Sequence, residues 1–195
     1  MMDSPTVVAI ILAAGQSRRM GTVNKLLMVV EGVPMVERVM LAIQAAGVEK
    51  TIVVTGFESD RIEERLSGYD IEFARNEKFE AGMGSSLAVG TAALAEKRFD
   101  GILVCLGDLP YLKKDSIVKV IDAFNQANGE KIVVPCFEGK RGHPVIFPSR
   151  YRENLESLEG DAGARALIQQ EARNLLELGL SEEGIIRDMD TAESD

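Results

Sequence analysis

The order of hydrophobic and polar positions along the chain predicts an alternation of strands and helices. Two continuous apolar runs, 7–12 and 101–106, predict strands that are buried on both faces. Shorter apolar or alternating runs predict further strands at 51–54, 71–74, 132–134, 175–180 and 185–189. Apolar residues at helical spacing predict five helices. One starts at Pro34 and ends before Gly47, one follows Asp115 as its cap, and the others cover 59–66, 85–95 and 161–170. The alternation indicates a mostly parallel sheet covered by helices on both faces.

The stretch 137–147 interrupts this alternation and predicts an antiparallel hairpin. Its turn is expected at Glu138-Gly139, and 144–147 is expected to form the returning strand. The chain has 195 residues, enough for one substantial core, and it contains no internal repeat and no linker of distinct composition. We therefore predict one domain that spans residues 1–195.

Composition narrows the classes of partner. The chain carries 22 basic and 31 acidic residues, a net charge of −9, which argues against a nucleic-acid backbone as partner. The two cysteines, Cys105 and Cys136, lie in apolar runs and are expected to be buried free thiols of a reducing compartment. No apolar run is long enough to cross a membrane, and the first residues lack a signal-peptide layout, so we expect a cytoplasmic protein without a membrane partner.

The loop after the first predicted strand has the composition of an anion site. Residues 12–21 read L-A-A-G-Q-S-R-R-M-G, and Lys25 follows. Small residues let the backbone approach a ligand, and the cations Arg18, Arg19 and Lys25 gather there in an otherwise acidic protein. The loop is neither a Walker A loop nor a dinucleotide fingerprint. It predicts a phosphate-binding loop at the carboxyl end of a parallel strand, with a merely solvated loop as the alternative.

Carboxylates in two places are candidate metal ligands. Asp108 ends the second buried strand, where α/β sheets bind ligands, and an isolated carboxylate beside cations and phosphates suits Mg²⁺. The alternative is an aspartate that only caps the loop before Pro110. Near the end of the chain, Asp188 and Asp190 are rivals for a second ligand, unless this acidic tail is simply solvated. The residue types do not distinguish Mg²⁺ from Mn²⁺.

The motif L-A-A-G-x-S-x-R-M-G-x-x-x-K over residues 12–25 resembles the signature loop of nucleotidyltransferases. Within the MobA-like NTP transferase superfamily, it is most similar to the molybdenum cofactor cytidylyltransferases. Other segments match that family in order: G-M-x-x-S-L at 82–87, G-D-x-P at 107–110, R-G-H-P at 141–144, G-D-x-G-A-R at 160–165 and D-x-D-T at 188–191. Two features depart from it. Gly84 stands where serine is usual, and Thr191 is not followed by the usual Pro, Glu and Asp.

The resemblance implies a fold and a set of site residues. The fold is a Rossmann-like three-layer αβα sandwich of the nucleotide-diphospho-sugar transferase type, mostly parallel with an antiparallel hairpin. The implied nucleotide-binding residues are Leu12, Ala13, Ala14, Gly15, Arg19, Lys25, Asn76, Gly82 and Ser85. The implied acceptor-binding residues are Arg141, His143, Asp161 and Arg165. Catalysis would rest on Arg19, Lys25 and Asp108, and the metal on Asp108 and Asp190. On the alternative interpretation, Ser85 and Ser86 only cap the helix that follows them, and Asp161 is only the N-cap of the next predicted helix.

The resemblance also implies a reaction. CMP would pass from CTP to molybdenum-bound molybdopterin, with Mg²⁺ as the metal cofactor and pyrophosphate as the second product. Where the finished molybdopterin cytosine dinucleotide is handed on, the recipient would be a molybdoenzyme. Related guanylyltransferases carry Gly in place of Ala14, and the methyl group of Ala14 leaves less room for a purine. An acceptor phosphate is already an anion, so no general base is needed, and the chain offers no catalytic Ser-His-Asp set.

Two other functions stay open at this stage. The first is nucleotidyl transfer to another phosphorylated acceptor, such as a sugar or polyol phosphate, because several families share the loop 12–20. The second is a chaperone-like module that binds a nucleotide or cofactor without reaction, which Gly84 and the altered tail would suit. Retained Arg19, Lys25 and Asp108 argue against the second, because a pure binder does not require a metal carboxylate beside the phosphates.

Overall fold

The computed structural model describes residues 5–16, 24–94, 98–161 and 163–189. Its strands are β1 (Val7–Ala13), β2 (Val29–Val30), β3 (Val33–Pro34), β4 (Lys50–Thr55), β5 (Glu72–Arg75), β6 (Gly101–Leu106), β7 (Ile132–Phe137), β8 (Lys140–Arg141), β9 (Val145–Pro148) and β10 (Leu175–Gly179). Its α-helices are α1 (Met35–Ala45), α2 (Ser59–Leu66), α3 (Met83–Ala92), α4 (Lys114–Gln126), α5 (Arg152–Glu156) and α6 (Arg165–Gln170). None of the helices in these ranges is long and apolar enough to span a membrane.

The main sheet has the strand order β10-β7-β9-β6-β1-β4-β5. The central strand β1 pairs in parallel with β4 and β6, and β5 extends the parallel half beyond β4. Strand β9 runs antiparallel to both of its neighbours, β6 and β7. As a result, β1, β4, β5, β6, β7 and β10 all point the same way, and their carboxyl ends meet along one edge.

The sheet separates two hydrophobic layers. Alternate residues of β1 belong to opposite layers: Ala9 and Ile11 pack on one face, whereas Val8 and Ile10 pack on the other. Helices α1, α2 and α4 cover the first face, and α3, α5 and α6 cover the second. The predicted α/β class with a three-layer αβα arrangement is therefore confirmed, and β1 and β6 are buried on both faces as their apolar runs predict.

The predicted hairpin is present, but its returning strand is placed differently. Strand β7 turns at Glu138-Gly139, both with positive φ, and pairs with the short strand β8. Strand β9 then lies between β6 and β7, with Val145 opposite Val104 and Ile146 opposite Val133. The antiparallel strand therefore fills the interior of the sheet and joins its two parallel halves.

Several element boundaries differ from the sequence-based expectation. Pro34 ends β3 and caps α1 instead of starting it, because Glu31-Gly32 forms a left-handed turn that folds β2 back on β3. Extended Lys113 is the N-cap of α4, so Asp115 lies in the first turn and is not the cap. Helix α3 begins two residues before the predicted start and ends at Ala92, and α6 begins only at Arg165.

The predicted strand at 185–189 is wrong. Residues Glu183–Ile185 form a short 3-10 turn, and the carbonyl of buried Ile185 accepts a hydrogen bond from the His143 backbone N–H at 2.8 Å. Gly184 meanwhile packs against the backbone of Tyr111, where a side chain would collide with it. The apolar residues of this segment therefore anchor a turn between two loops and do not extend the sheet.

The two cysteines are free thiols, as predicted. Cys105 is fully buried in β6, and burial, helped by the charge of Asp108, raises the pKa of its thiol. Cys136 is only half-buried near the end of β7, and the pKa of its thiol is raised by burial as well. Both groups are therefore held as neutral thiols at neutral pH.

Candidate active site

Loops that follow β1, β4, β5 and β6 meet at the carboxyl edge of the sheet. Backbone hydrogen bonds tie them together: Gly107 N–H donates to the carbonyl of Leu12 at 3.0 Å, Phe57 N–H to that of Ala14 at 3.2 Å, and Asn76 N–H to that of Thr55 at 2.8 Å. An open α/β sheet binds ligands at this edge. The loops that the sequence marks for a nucleotide are therefore fixed to one another before any ligand binds.

Lys25 and Asp108 form an ion pair at this edge, with Lys25 Nζ 2.6 Å from Asp108 Oδ2. Only 15% of the Lys25 side chain and 18% of the Asp108 side chain are exposed. The pair joins two residues that the sequence predicts in catalysis and that are 83 positions apart. Two largely buried charges interact more strongly than surface charges do, so the ion pair fixes the position of both side chains.

Asn24 sets the position of Lys25, and the sequence-based prediction missed it. Its buried side chain accepts a hydrogen bond from Leu26 N–H at 3.1 Å and so caps the turn Lys25–Leu27. Its amide also donates to the Phe57 carbonyl at 3.5 Å. An asparagine directly before a short turn is a typical capping signal, and that rule could have identified it.

Asp108 Oδ1 is buried and has no hydrogen-bond partner among the residues that the structure describes. Asp108 accepts no hydrogen bond from the described backbone of the loop around Pro110, and its Oδ2 pairs with Lys25. A buried carboxylate oxygen without a partner is costly unless a ligand completes it. A divalent ion fits, since Mg²⁺ and Mn²⁺ take one or two carboxylates and fill the remaining positions with phosphate oxygens and water. The described ranges contain no cluster of three or more metal-binding side chains.

Two predicted site residues cannot be placed against this pair. Arg19, in the phosphate loop, and Asp190, the favoured second metal ligand, lie outside the described residues. Its rival Asp188 is described and is exposed. The guanidinium of Arg187 stacks on the Tyr111 ring at 4.3 Å, which attaches the end of the described tail to the loop that follows Asp108.

Asn76 organises the loop between β5 and α3. It is 3% exposed, and its amide donates to the hydroxyls of Ser85 at 2.9 Å and Ser86 at 3.0 Å. Its Oδ1 accepts from Lys78 N–H at 2.9 Å. The Ser85 hydroxyl donates within the loop to the Gly82 carbonyl at 2.8 Å, and α3 has no side-chain cap. The alternative that Ser85 serves as a helix cap is therefore wrong.

The loop after β1 packs against small residues of neighbouring loops. Leu12 and Ala13 end β1, Ala14 is buried, and Gly15 is exposed beyond it. A side chain on Gly56 would lie 2.9 Å from Ala14 Cβ and 2.7 Å from Phe79 Cβ, so only glycine fits between them. The Gln16 side chain links the loop after β1 to the loop after β5, because it donates a hydrogen bond to Glu80 Oε1 at 2.8 Å.

The predicted acceptor residues do not form one compact group. Arg141 lies in β8 and is bound to Glu177 of β10, with its Nη2 2.7 Å from Oε1. Asp161 and Arg165 are exposed, and Ala164 precedes α6 as its N-cap, so Asp161 is not a helix cap. Asp161 instead lies against the Cα of Gly82, which brings it next to the loop of Asn76 and Ser85.

His143 lies against β6, within the electrostatic influence of Asp108. Its half-buried ring places Nδ1 3.3 Å from the Val104 carbonyl, so the neutral ring carries its proton on Nδ1 and presents Nε2 as an acceptor. Burial lowers the pKa of His143, while the Val104 carbonyl and the charge of Asp108 act in the opposite direction. A neutral histidine is therefore the form expected at neutral pH.

Known proteins resemble the chain over nearly its whole length. The chain is 28% identical to the nicotine blue oxidoreductase of Paenarthrobacter nicotinovorans over 98% of this chain and 95% of that protein. It is 29% identical to the purine catabolism protein PucB of Bacillus subtilis, again over 98% and 95%. The bifunctional protein GlmU of Acetivibrio thermocellus is 29% identical over 90% of this chain, which spans 36% of the GlmU length.

Solved structures share the fold. Rv0371c of Mycobacterium tuberculosis superposes with a TM-score of 0.81 at 24% identity, over 97% of this chain and 95% of that one. A nucleotidyl transferase of Methanothermobacter superposes with a TM-score of 0.77 at 23% identity, over 95% and 92%. At these identities the likeness concerns the fold.

The sequence profile of the MobA-like NTP transferase domain matches residues 9–175. The matched range contains the loop after β1, the Lys25–Asp108 pair, the Asn76 loop and the Asp161 turn. The superfamily resemblance that the motifs imply is thereby confirmed. The chain is a nucleotidyltransferase and belongs to the MobA-like NTP transferase family.

Proposed function

We propose that the protein transfers CMP from CTP to the phosphate of molybdenum-bound molybdopterin and releases pyrophosphate. The observation that carries the proposal is the Asp108 carboxylate, which Lys25 holds at one oxygen while the other is buried without a partner among the described residues. This arrangement suits the handling of a nucleoside triphosphate. The choice of CTP and molybdopterin rests on the motifs at 12–25, 141–144 and 160–165.

In the proposed reaction, an oxygen of the acceptor phosphate attacks the α-phosphorus of CTP. The bond between that phosphorus and the oxygen bridging to the β-phosphorus breaks, and pyrophosphate leaves with the electron pair. Asp108 would hold a divalent ion, Mg²⁺ or Mn²⁺, which supplies charge neutralisation at the phosphates when bound. A structure of Rv0371c with manganese supports a divalent ion in this fold. Lys25, and Arg19 by motif, would neutralise the charge of the departing pyrophosphate.

Ala14 supports a pyrimidine base. The residue is 3% exposed, and its methyl group packs beside Gly56 and Phe79. Because a side chain on Gly56 would collide with it, the loops after β1 and β4 are already in tight contact at this point. We take this tight packing, together with the methyl group of Ala14, to leave less room for a purine than for a pyrimidine.

His143 and Asp161 would contact the acceptor. The proton on His143 Nδ1 is directed at the Val104 carbonyl, so Nε2 is left to accept a hydrogen bond from a polar acceptor group. Asp161 lies next to Gly82 and so borders the proposed nucleotide loop. Arg165 begins α6 on the same turn and is exposed.

A titration with four nucleotides tests the proposal. Purified protein is titrated calorimetrically with CTP, GTP, ATP and UTP in the presence of Mg²⁺, and pyrophosphate release is then measured with molybdenum-bound molybdopterin. We expect CTP to bind most tightly and to support turnover. A preference for GTP would overturn the assignment to CTP. Binding of CTP without pyrophosphate release would instead favour the non-catalytic binding module.

A different phosphorylated acceptor is the second candidate. Arg141, predicted to bind the acceptor, is engaged by Glu177, and GlmU proteins are among the relatives with the same domain. If CTP binds but molybdopterin gives no pyrophosphate, the same assay with sugar phosphates and polyol phosphates distinguishes the two candidates. Turnover with one of these and none with molybdopterin would establish the second.

A further inference from the structure

Two glycines in the proposed nucleotide loop contact the proposed acceptor turn directly. Gly82 has φ +107°, and a side chain there would lie 2.6 Å from the Gly160 carbonyl oxygen and would overlap Asp161 Oδ1. A side chain on Gly84 would lie 2.7 Å from the Glu159 carbonyl oxygen and 2.9 Å from that of Gly160. Side-chain carbon atoms are not found this close to backbone oxygens, so both contacts require glycine.

A hydrogen bond reinforces the contact. Gly84 N–H donates to the Gly160 carbonyl at 2.7 Å. This N–H belongs to the first turn of α3, where backbone donors have no partner inside the helix, and within the described part of the chain no side chain caps α3. The turn at 159–161 therefore acts as the cap of α3.

The contact continues in both directions from Gly84. Towards the nucleotide loop, the Gly82 carbonyl accepts from Ser85, whose hydroxyl in turn accepts from Asn76. Towards the acceptor turn, Met83 packs over Gly163, where its Sδ lies 3.2 Å from the position of a side-chain carbon. A continuous series of contacts thus joins Asn76 to Asp161.

We propose that Gly84 is a positioning residue that couples the nucleotide loop to the acceptor turn and sets the distance of Asp161 from the bound nucleotide. The proposal rests on the proposed function, because it takes 76–86 as the nucleotide side and 159–165 as the acceptor side. At this position the related cytidylyltransferases carry serine, which the present geometry does not admit. The absence of a side chain therefore allows a closer approach of the turn and is not only the loss of a hydroxyl group.

The Gly84→Ser variant tests the coupling, with Gly68→Ser as its matched control. Gly68 is exposed and precedes β5, at the opposite edge of the sheet from the site, and a side-chain carbon added to it would meet no atom within 4 Å. Hydrogen–deuterium exchange of peptides that cover 76–87 and 157–165 is followed with and without saturating nucleotide. In the wild type and in Gly68→Ser, we expect the nucleotide to slow exchange in both peptides. In Gly84→Ser, we expect slower exchange in 76–87 alone.

Kinetics give a second readout that a general loss of stability would not reproduce. A misplaced acceptor turn should raise the KM for the acceptor about tenfold and leave the KM for the nucleotide within about twofold. Gly84→Ala, with a smaller side chain, should raise the KM for the acceptor by less and should also leave the KM for the nucleotide within about twofold. Gly84→Ala also replaces Gly84→Ser in both experiments if the serine variant does not fold.

The outcomes distinguish a failure of the coupling from a failure of the proposed function. If calorimetry shows nucleotide binding to the wild type and the 157–165 peptide is not protected, the coupling is refuted and the proposed function stands. Equal acceptor KM values for Gly84→Ser, Gly84→Ala and the wild type would refute it as well. If no nucleotide binds to the wild type, the proposed function and the coupling fall together.

Discussion

The two sides of the candidate site are built in different ways. On the nucleotide side, Lys25, Asn76 and Asp108 are buried or nearly so, and each is held by a partner from another loop or by a chain of hydrogen bonds. On the proposed acceptor side, Arg141 and Asp161 are exposed, and they come from the short strand β8 and from a turn late in the chain. If the proposed assignment holds, the transfer chemistry is preorganised, whereas the proposed acceptor surface can change without disturbing the core.

Two ion pairs of nearly equal length show what this difference means. Lys25–Asp108 at 2.6 Å is more than four-fifths buried, and one Asp108 oxygen has no partner in the described part of the chain. Arg141–Glu177 at 2.7 Å is exposed at 44% and 51%. Burial removes the screening by water, so the first pair constrains two functional groups, while the second contributes little to stability.

The largest effect is expected at Asp108. Asp108→Asn keeps the shape of the side chain and removes the charge that would hold a divalent ion, so turnover should fall by about 10²–10³-fold. Nucleotide binding should persist, because the positive charge of Lys25 is retained for the phosphates. Pyrophosphate release and calorimetry measure the two quantities separately.

Asp122→Asn is the matched control, since Asp122 is exposed on α4. It should leave both turnover and binding unchanged. Full turnover in Asp108→Asn would contradict the role of this carboxylate. Loss of nucleotide binding together with turnover would show that Asp108 maintains the loop and not the chemistry.

A smaller effect is expected at Asn76, whose side chain makes three hydrogen bonds within its loop. Asn76→Ala leaves two serine hydroxyls and the Lys78 N–H without their partner, so the free energy of unfolding should fall by about 1–3 kcal/mol. Urea unfolding measures it, with exposed Asn154→Ala as the control. An unchanged midpoint for Asn76→Ala would show that water replaces these hydrogen bonds and that the loop is not preorganised.

These contrasts also explain how far the sequence could predict the molecule. Strands β1 and β6 could be predicted, because a strand buried on both faces needs a continuous apolar run. Their site residues could be predicted as well, because Asp108 comes two residues after β6 and Lys25 follows the loop after β1. The strand predicted at 185–189 failed because Ile185 is held by the His143 N–H and Gly184 by the Tyr111 backbone, which are contacts between distant segments. The pairing of Arg141 with Glu177 likewise depends on the neighbourhood of β7, β8 and β10, which no local pattern encodes.

The protonation of His143 should make the stability of the protein depend on pH. Burial lowers the pKa of His143 in the folded protein below the unfolded value of about 6.5, so below that pH the unfolded chain binds the proton more readily. The free energy of unfolding should therefore fall as the pH is lowered from 7.5 through 6.5, and level off below the folded pKa. His143→Gln should lack this step, and the assignment is clean because the chain has one histidine. A rise of stability over the same range would show that the charge of Asp108 outweighs burial.

The smallest change in stability is expected at the exposed ion pair, and it decides whether Arg141 belongs to the acceptor side at all. Glu177→Ala and Arg141→Ala each remove the same surface pair, so each should lower the free energy of unfolding by less than about 1 kcal/mol. Their effects on the acceptor should diverge, because only one of them removes the cation. Arg141→Ala should raise the KM for the acceptor, whereas Glu177→Ala releases Arg141 and should leave that KM unchanged or lower it. Equal KM values in both variants would show that Arg141 serves only to fasten β8 to β10, and the acceptor side would then consist of His143 and the turn that Gly84 holds in place.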